Sequence, residues 1–146
     1  MKSIWKASTR DELRARLARL TPESKPRWGS MTAPQMVAHL ADCSRMTLGD
    51  LPVAPKRLAI RYPPLKQLII YCLPFPKGAP TAPELIGRTP GDWLHEVHAA
   101  GALLERIASP PDGPRPEHPA LGRMSETALG VFVYRHYDHH LRQFGV

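Results

Sequence analysis

Apolar residues recur along this chain with the period of a helix, and polar breaks separate the runs. Leu13, Leu17 and Leu20 return at helical spacing after Ser8 and Thr9, either of which can cap, which predicts a first helix over about Thr9–Leu20. Thr32 and Gln35 form a capping-box pattern with Pro34 in the first turn, and Gly49 offers a stop, so a second helix is expected from Thr32 to Leu48. Pro63 and Pro64 divide the segment from Lys56 to Leu73 into a short turn and a helix near Leu65–Cys72. The run FPKGAPTAPEL reads as loop. Thr89 is placed to cap a further helix with Pro90 at its first position, Asp92 at the positive end of the dipole, and Trp93, Val97, Leu104 and Ile107 on its core side up to Ala108. A last helix is expected after Ser125 and up to Phe144, with Gly145 as its stop. Strand patterns are nearly absent. The expected architecture is an all-α bundle of four long helices and one extra short helix, in a single domain over residues 1–146.

Composition adds detail. The chain has 146 residues, 42% of them hydrophobic, enough to bury a core without staples. Most of its 17 prolines fall in Pro52–Pro90 and Pro110–Pro119, so these blocks read as long connectors that permit crossovers. The formal net charge is +7, but Lys and Arg are scattered, and Arg10, Arg14, Arg16 and Arg19 alternate with Glu12 and apolar residues. That is the pattern of a solvated helix face, and it argues against nucleic acid as a partner while favouring a small anionic substrate. Cys43 and Cys72 make no CxxC pair, so neither a thiolate zinc site nor a disulfide framework is suggested, and two reduced thiols are expected. No apolar run follows Met-Lys-Ser, and the apolar stretch near Leu68–Phe75 is too short to span a bilayer, so a cytoplasmic protein with no membrane partner is expected. There is no phosphate loop, no GxSxG and no credible carboxylate pair.

The chemistry concentrates in histidines. Three of the seven lie in HYDHHLRQFG on the last predicted helix. His136 and His140 are one turn apart and about 40° apart around the axis, a spacing that lets both reach one cation. His139 forms a competing HxxH pair with His136. The sequence Leu129, Val133, His136, His140, Gln143 follows a 4-3-4-3 spacing, which favours His140 as the inward residue and leaves His139 at the rim. On the second helix, His39 shares a face with Met36, Leu40, Cys43 and Thr47. Ligands from two helices can converge in a bundle core, and three imidazoles leave a coordination position open for water or substrate.

Four stretches extend the pattern: WGSMTAPQMVAHLADC (Trp28–Cys43), PKGAPTAPEL (Pro76–Leu85), HPALGRMS (His118–Ser125) and YRHYDHHLRQFG (Tyr134–Gly145). In this order they resemble the DinB-like metal-binding superfamily of four-helix bundles, and most closely a branch marked by a C-terminal HxxHHLRQFG. The resemblance implies that His39 joins His136 and His140 in a three-histidine site for a divalent metal, Zn²⁺ or Ni²⁺ foremost and Fe²⁺ or Mn²⁺ next. It also implies a metal-dependent enzyme such as a thiol-dependent S-transferase, with a low-molecular-weight thiol and a small-molecule substrate, and a homodimer. A non-enzymatic metal-binding stress-response bundle is the main alternative, and a basic nucleic-acid module a weaker one. Leu129 stands where that branch is expected to carry an aromatic, a departure that bears on pocket shape.

Supporting residues follow. His118, in a proline-rich loop, is a candidate catalytic acid, base or fourth ligand. Asp42 and Asp138 are candidates to orient the outer imidazole nitrogens, and Arg135 and Arg142 to bind an anion. Cys43 reads as a small buried residue, Trp28 and Met36 as core, and His95 and His98 as a pair without a third ligand.

Overall fold

A computed structural model describes residues 1–78 and 81–146; Ala79 and Pro80 of the expected FPKGAPTAPEL loop lie outside the described residues. The chain is all-helical. Its helices are α1 (Ala7–Leu17), α2 (Ala33–Leu48), a short α3 (Leu65–Gln67), α4 (Trp93–Ala108) and α5 (Glu126–Gln143), with no strand among the described residues. No described helix is long and apolar enough to cross a membrane.

Local chemistry sets α2 as expected. Thr32 accepts from the Gln35 backbone at 3.3 Å and Gln35 Oε1 accepts from the Thr32 backbone at 2.9 Å, a complete capping box. Gly49 closes the helix at φ +87°, a conformation that suits glycine best. Ser125 caps α5 by accepting from Ala128 N at 3.2 Å. Two expected starts differ. α1 begins after Lys6, so Ser8 and Thr9 lie inside the helix and neither caps it. The segment before it decides this, because Ile4 is buried and its N–H donates to the Gly130 carbonyl at 3.1 Å. In α4 the cap is Asp92, which accepts from His95 N at 3.0 Å, not Thr89. Gly91 is held by Glu96, its N–H donating to Oε1 at 2.9 Å, so the chain before Asp92 stays outside the helix. The expected Leu65–Cys72 helix is present, but its second half, Leu68–Cys72, widens into a π turn. Arg135 of α5 clasps it, donating to the carbonyls of Ile69 (2.8 Å) and Ile70 (2.5 Å) and to that of Leu73.

α2 packs closely on α4, and α1 bridges α4 and α5. The core joins Leu13 and Leu17 of α1, Met36, Val37 and Leu40 of α2, Leu104 and Ile107 of α4, and Val133, Tyr137 and Leu141 of α5. α2 and α5 keep their backbones apart and meet through side chains. The fully buried Tyr137 hydroxyl donates to the Ala100 carbonyl at 3.1 Å and lies 2.8 Å from Ser44 Oγ, satisfying a polar group that burial would otherwise penalise. This gap between α2 and α5 is where the histidines fall.

Candidate metal centre

The buried stripe of α5 begins at Leu129 and Val133 as expected, but it continues to Tyr137 and Leu141. His136 and His140 sit one residue aside from those two, turned by about 100° toward the edge of the interface. They are therefore partly exposed, whereas His39 on α2 is 4% exposed. The inner residues hold the helix in the core, and the histidines line the gap beside it.

The three imidazoles form a group able to hold a metal ion, with one nitrogen from each within 4.8 Å of the others. His39 Nε2 and His136 Nε2 are 3.3 Å apart. Two nitrogens bound tetrahedrally at roughly 2.0–2.1 Å from zinc would stand about 3.3 Å apart, so this separation suits a shared ion. His140 completes the group, its ring centroid 4.8 Å from that of His39 and 4.9 Å from that of His136.

Two members have their outer nitrogen committed. His39 Nδ1 lies 3.0 Å from the Leu85 carbonyl, an acceptor only, so Nδ1 carries the proton and Nε2 presents its lone pair to the group. His140 Nδ1 donates to Gln143 Oε1 at 2.9 Å, and Gln143 Nε2 donates in turn to the Trp28 carbonyl at 2.7 Å. Gly29 makes room for that amide: a Cβ there would stand 2.7 Å from Gln143 Nε2, and φ is +79°. Such outer partners fix ring orientation and tautomer. Gln143→Leu is expected to weaken Zn²⁺ binding about 10- to 100-fold in a competition titration, because it removes both the acceptor for His140 and the donor to the Trp28 carbonyl that holds it in place. Equal affinity for the leucine variant would remove Gln143 from this role.

The imidazoles are held neutral, as metal ligation requires. Burial pushes His39 below its ordinary value. Burial, reinforced by His140 and His39, pushes His136 well below it. Burial, with His39 adding to it, takes His140 to about 3.

The aspartates do not take the expected orienting roles. Asp42 pairs with Arg45 at 2.6 Å and Arg88 at 3.1 Å, and Asp138 with Arg16 at 2.8 Å. Arginines thus occupy both carboxylates, and a backbone carbonyl and an amide stand at the imidazoles instead. Arg88 also grips Glu96, and its anchorage to α2 and α4 fixes the segment that follows Leu85. Leu85 O, the Trp28 carbonyl and Arg88 were not singled out from the sequence. The first two are backbone groups, which no residue type reveals, and Arg88 looks like any loop arginine until the loop docks.

His118 is not among the ligands that converge. Its Nδ1 accepts from the backbone N–H of Ala120 (3.2 Å) and Leu121 (3.1 Å), and burial, aided by Arg61, lowers it to about 4. Its ring stands edge-on to Phe132, and Phe132 stacks on His136, so an aromatic ring lies between His118 and the trio. His139 points to the rim, against Trp28 and Phe75. Cys43 is buried with Met46, Ala82 and Leu85, and burial pushes its thiol up, which keeps it protonated. His95 and His98 are exposed on α4, away from the group. Met36 is core, while Trp28 is only partly buried and faces a cleft.

No family model, no curated protein and no solved structure matches the chain.

Proposed function

We propose that this protein is a DinB-like divalent-metal enzyme that acts on a small molecule, with a low-molecular-weight thiol as its partner in S-transfer. One observation carries the reading. Three neutral imidazole nitrogens from two helices converge within 4.8 Å, and two of those rings are already fixed by outer acceptors. That donor set suits Zn²⁺ or Ni²⁺, with Fe²⁺ and Mn²⁺ less favoured.

His39, His136 and His140 would hold the ion. When bound, it supplies Lewis acidity that lowers the pKa of a thiol or a water. The chain's own contribution is orientation and exclusion of water. Leu85 O and Gln143 keep His39 and His140 aimed at the group, and Phe132 walls one side of His136. His118, neutral at pH 7 and with Nδ1 occupied, retains Nε2–H as its available donor. That restricts it to donating a hydrogen bond, and with Phe132 between it and the trio it is not a fourth ligand.

The test has two stages. Metal analysis of natively purified protein and titration with Zn²⁺ or Ni²⁺ should give one ion per chain. The loaded protein should then consume a free thiol in the presence of an electrophile faster than chelated protein does. Absence of stoichiometric metal in both measurements would end the metal reading. Bound metal without thiol consumption would favour a non-enzymatic metal-binding bundle.

A further inference from the structure

Beside the trio lies a cleft of about 730 Å³, within the size range of pockets for small molecules. It shares a wall with the histidines. His139 lines it and stands 5.2 Å from the His140 ring, and Phe75 lines it and stands 6.2 Å from the His136 ring.

Its charge is unbalanced. Arg27, Lys77, Arg135 and Arg142 line the cleft, and Asp138 is the one acidic side chain among the described lining residues. Asp138 is already taken by Arg16 at 2.8 Å and reaches Arg142 only at 3.7 Å. Arg135 is committed to the carbonyls of the π turn, which removes it from the anion-binding role expected from the sequence. Among the described residues Arg27 has no side-chain hydrogen bond or ion pair, and Lys77 Nζ sits 4.6 Å above the Trp28 ring with no ion pair. Arg27, Lys77 and Arg142 thus face this space, and among the described residues none of the three has a carboxylate closer than 3.7 Å.

Aromatic rings also line it: His139 meets Trp28 with ring centroids 5.8 Å apart and Phe75 at 5.9 Å. Lys77 and Arg135 stand over the Trp28 and Phe75 rings, at 4.6 Å and 5.2 Å, so cations and aromatic surface are interleaved along the cleft, which suits a flat apolar body carrying a negative group.

We infer that this cleft binds a small aromatic anion, its carboxylate or phosphate held by Arg27, Lys77 and Arg142 and its ring laid against Trp28 and Phe75. Its role as the substrate pocket rests on the reading of the trio as a metal centre; the binding of the anion does not. Cys72 also lines the cleft and is exposed, whereas Cys43 is buried, so alkylation of Cys72 reports occupancy of the cleft.

The experiment measures the rate at which iodoacetamide labels Cys72, by mass spectrometry, with naphthoate or its neutral counterpart naphthalenemethanol as the probe. Chelator-treated and Zn²⁺-loaded protein are run in parallel. Naphthoate should slow labelling in both. The Arg27→Ala/Lys77→Ala variant, which touches only exposed side chains, should raise the half-protecting concentration by about tenfold or more. Naphthalenemethanol should protect at least about tenfold less well. No protection by naphthoate, equal protection by the neutral probe, or an unchanged midpoint in the double variant would each overturn the inference. Zn²⁺ binding is recorded on the same samples. Protection without Zn²⁺ binding would sink the metal reading alone, and Zn²⁺ binding without protection would sink this one alone.

Discussion

His140→Ala is expected to abolish stoichiometric Zn²⁺ binding, with affinity falling by more than about 100-fold, whereas His139→Ala should hold within about threefold of the parent. The two residues are adjacent in sequence and differ in where the helix aims them. His140 faces His39 and His136 and has its outer nitrogen fixed by Gln143, while His139 rests against Trp28 and Phe75 at the rim. Losing a ligand outright should exceed the loss of an outer partner, so His140→Ala should also fall well below Gln143→Leu. His39→Ala should match His140→Ala, because it removes the arm supplied by α2. A competition titration against a chromogenic chelator, with helicity checked by circular dichroism, separates these outcomes. Retained binding in His140→Ala together with loss in His139→Ala would replace the chosen register with the HxxH alternative.

The second large effect concerns stability. Glu96 is 3% exposed, yet it is charged. Its carboxylate accepts from Arg88 through both terminal nitrogens, one at 3.0 Å, and from Gly91 N at 2.9 Å. The Arg88 hydrogen bonds are the main reason its pKa falls to about 2. A depressed carboxylate stabilises the fold above its unfolded value, near 4.3, and loses that contribution as pH drops through its folded value. Arg88 keeps 35% of its side chain exposed, so solvent screens the pair and the contribution is set at about 2 kcal/mol, below what the shift alone would give. Glu96→Ala should therefore lower Tm by roughly 4–8 °C at pH 7. The difference from the parent should shrink as pH is taken from about 4.5 toward 2, where Glu96 becomes protonated in both states. Thermal scans across that range check it, and a pH-independent difference would show that the charge is not what Glu96 contributes.

The parts of this architecture that were legible are those decided locally. Thr32 with Gln35 and the closing Gly49 placed α2, because a cap is a short-range contact. The start of α1 was missed because Ile4 and Trp5 dock on α5, more than a hundred residues away in sequence. Thr89 was a reasonable cap, but Asp92 won once Glu96 had drawn Gly91 aside. At the site, the helical period paired His136 with His140 and the family resemblance added His39, and one nitrogen from each lies within 4.8 Å of the others. The period erred in one respect: it put the histidines in the buried stripe, where Tyr137 and Leu141 stand. Arg27 and Lys77 gave no signal, since loop cations acquire meaning only when tertiary packing places them round one cavity.

The wide spacing of α2 and α5 has a mechanical meaning. His39 and His136 are 97 positions apart, on helices whose backbones scarcely touch. An ion shared between them would act as a crosslink across most of the chain's length, one that the unfolded polymer, with only the neighbouring His136 and His140 to offer, could match poorly. At a free ion concentration of about 100 times the dissociation constant, such a clasp is worth roughly 2.7 kcal/mol of folding free energy. The supply of metal would then set the mechanical integrity of the bundle as well as its chemistry.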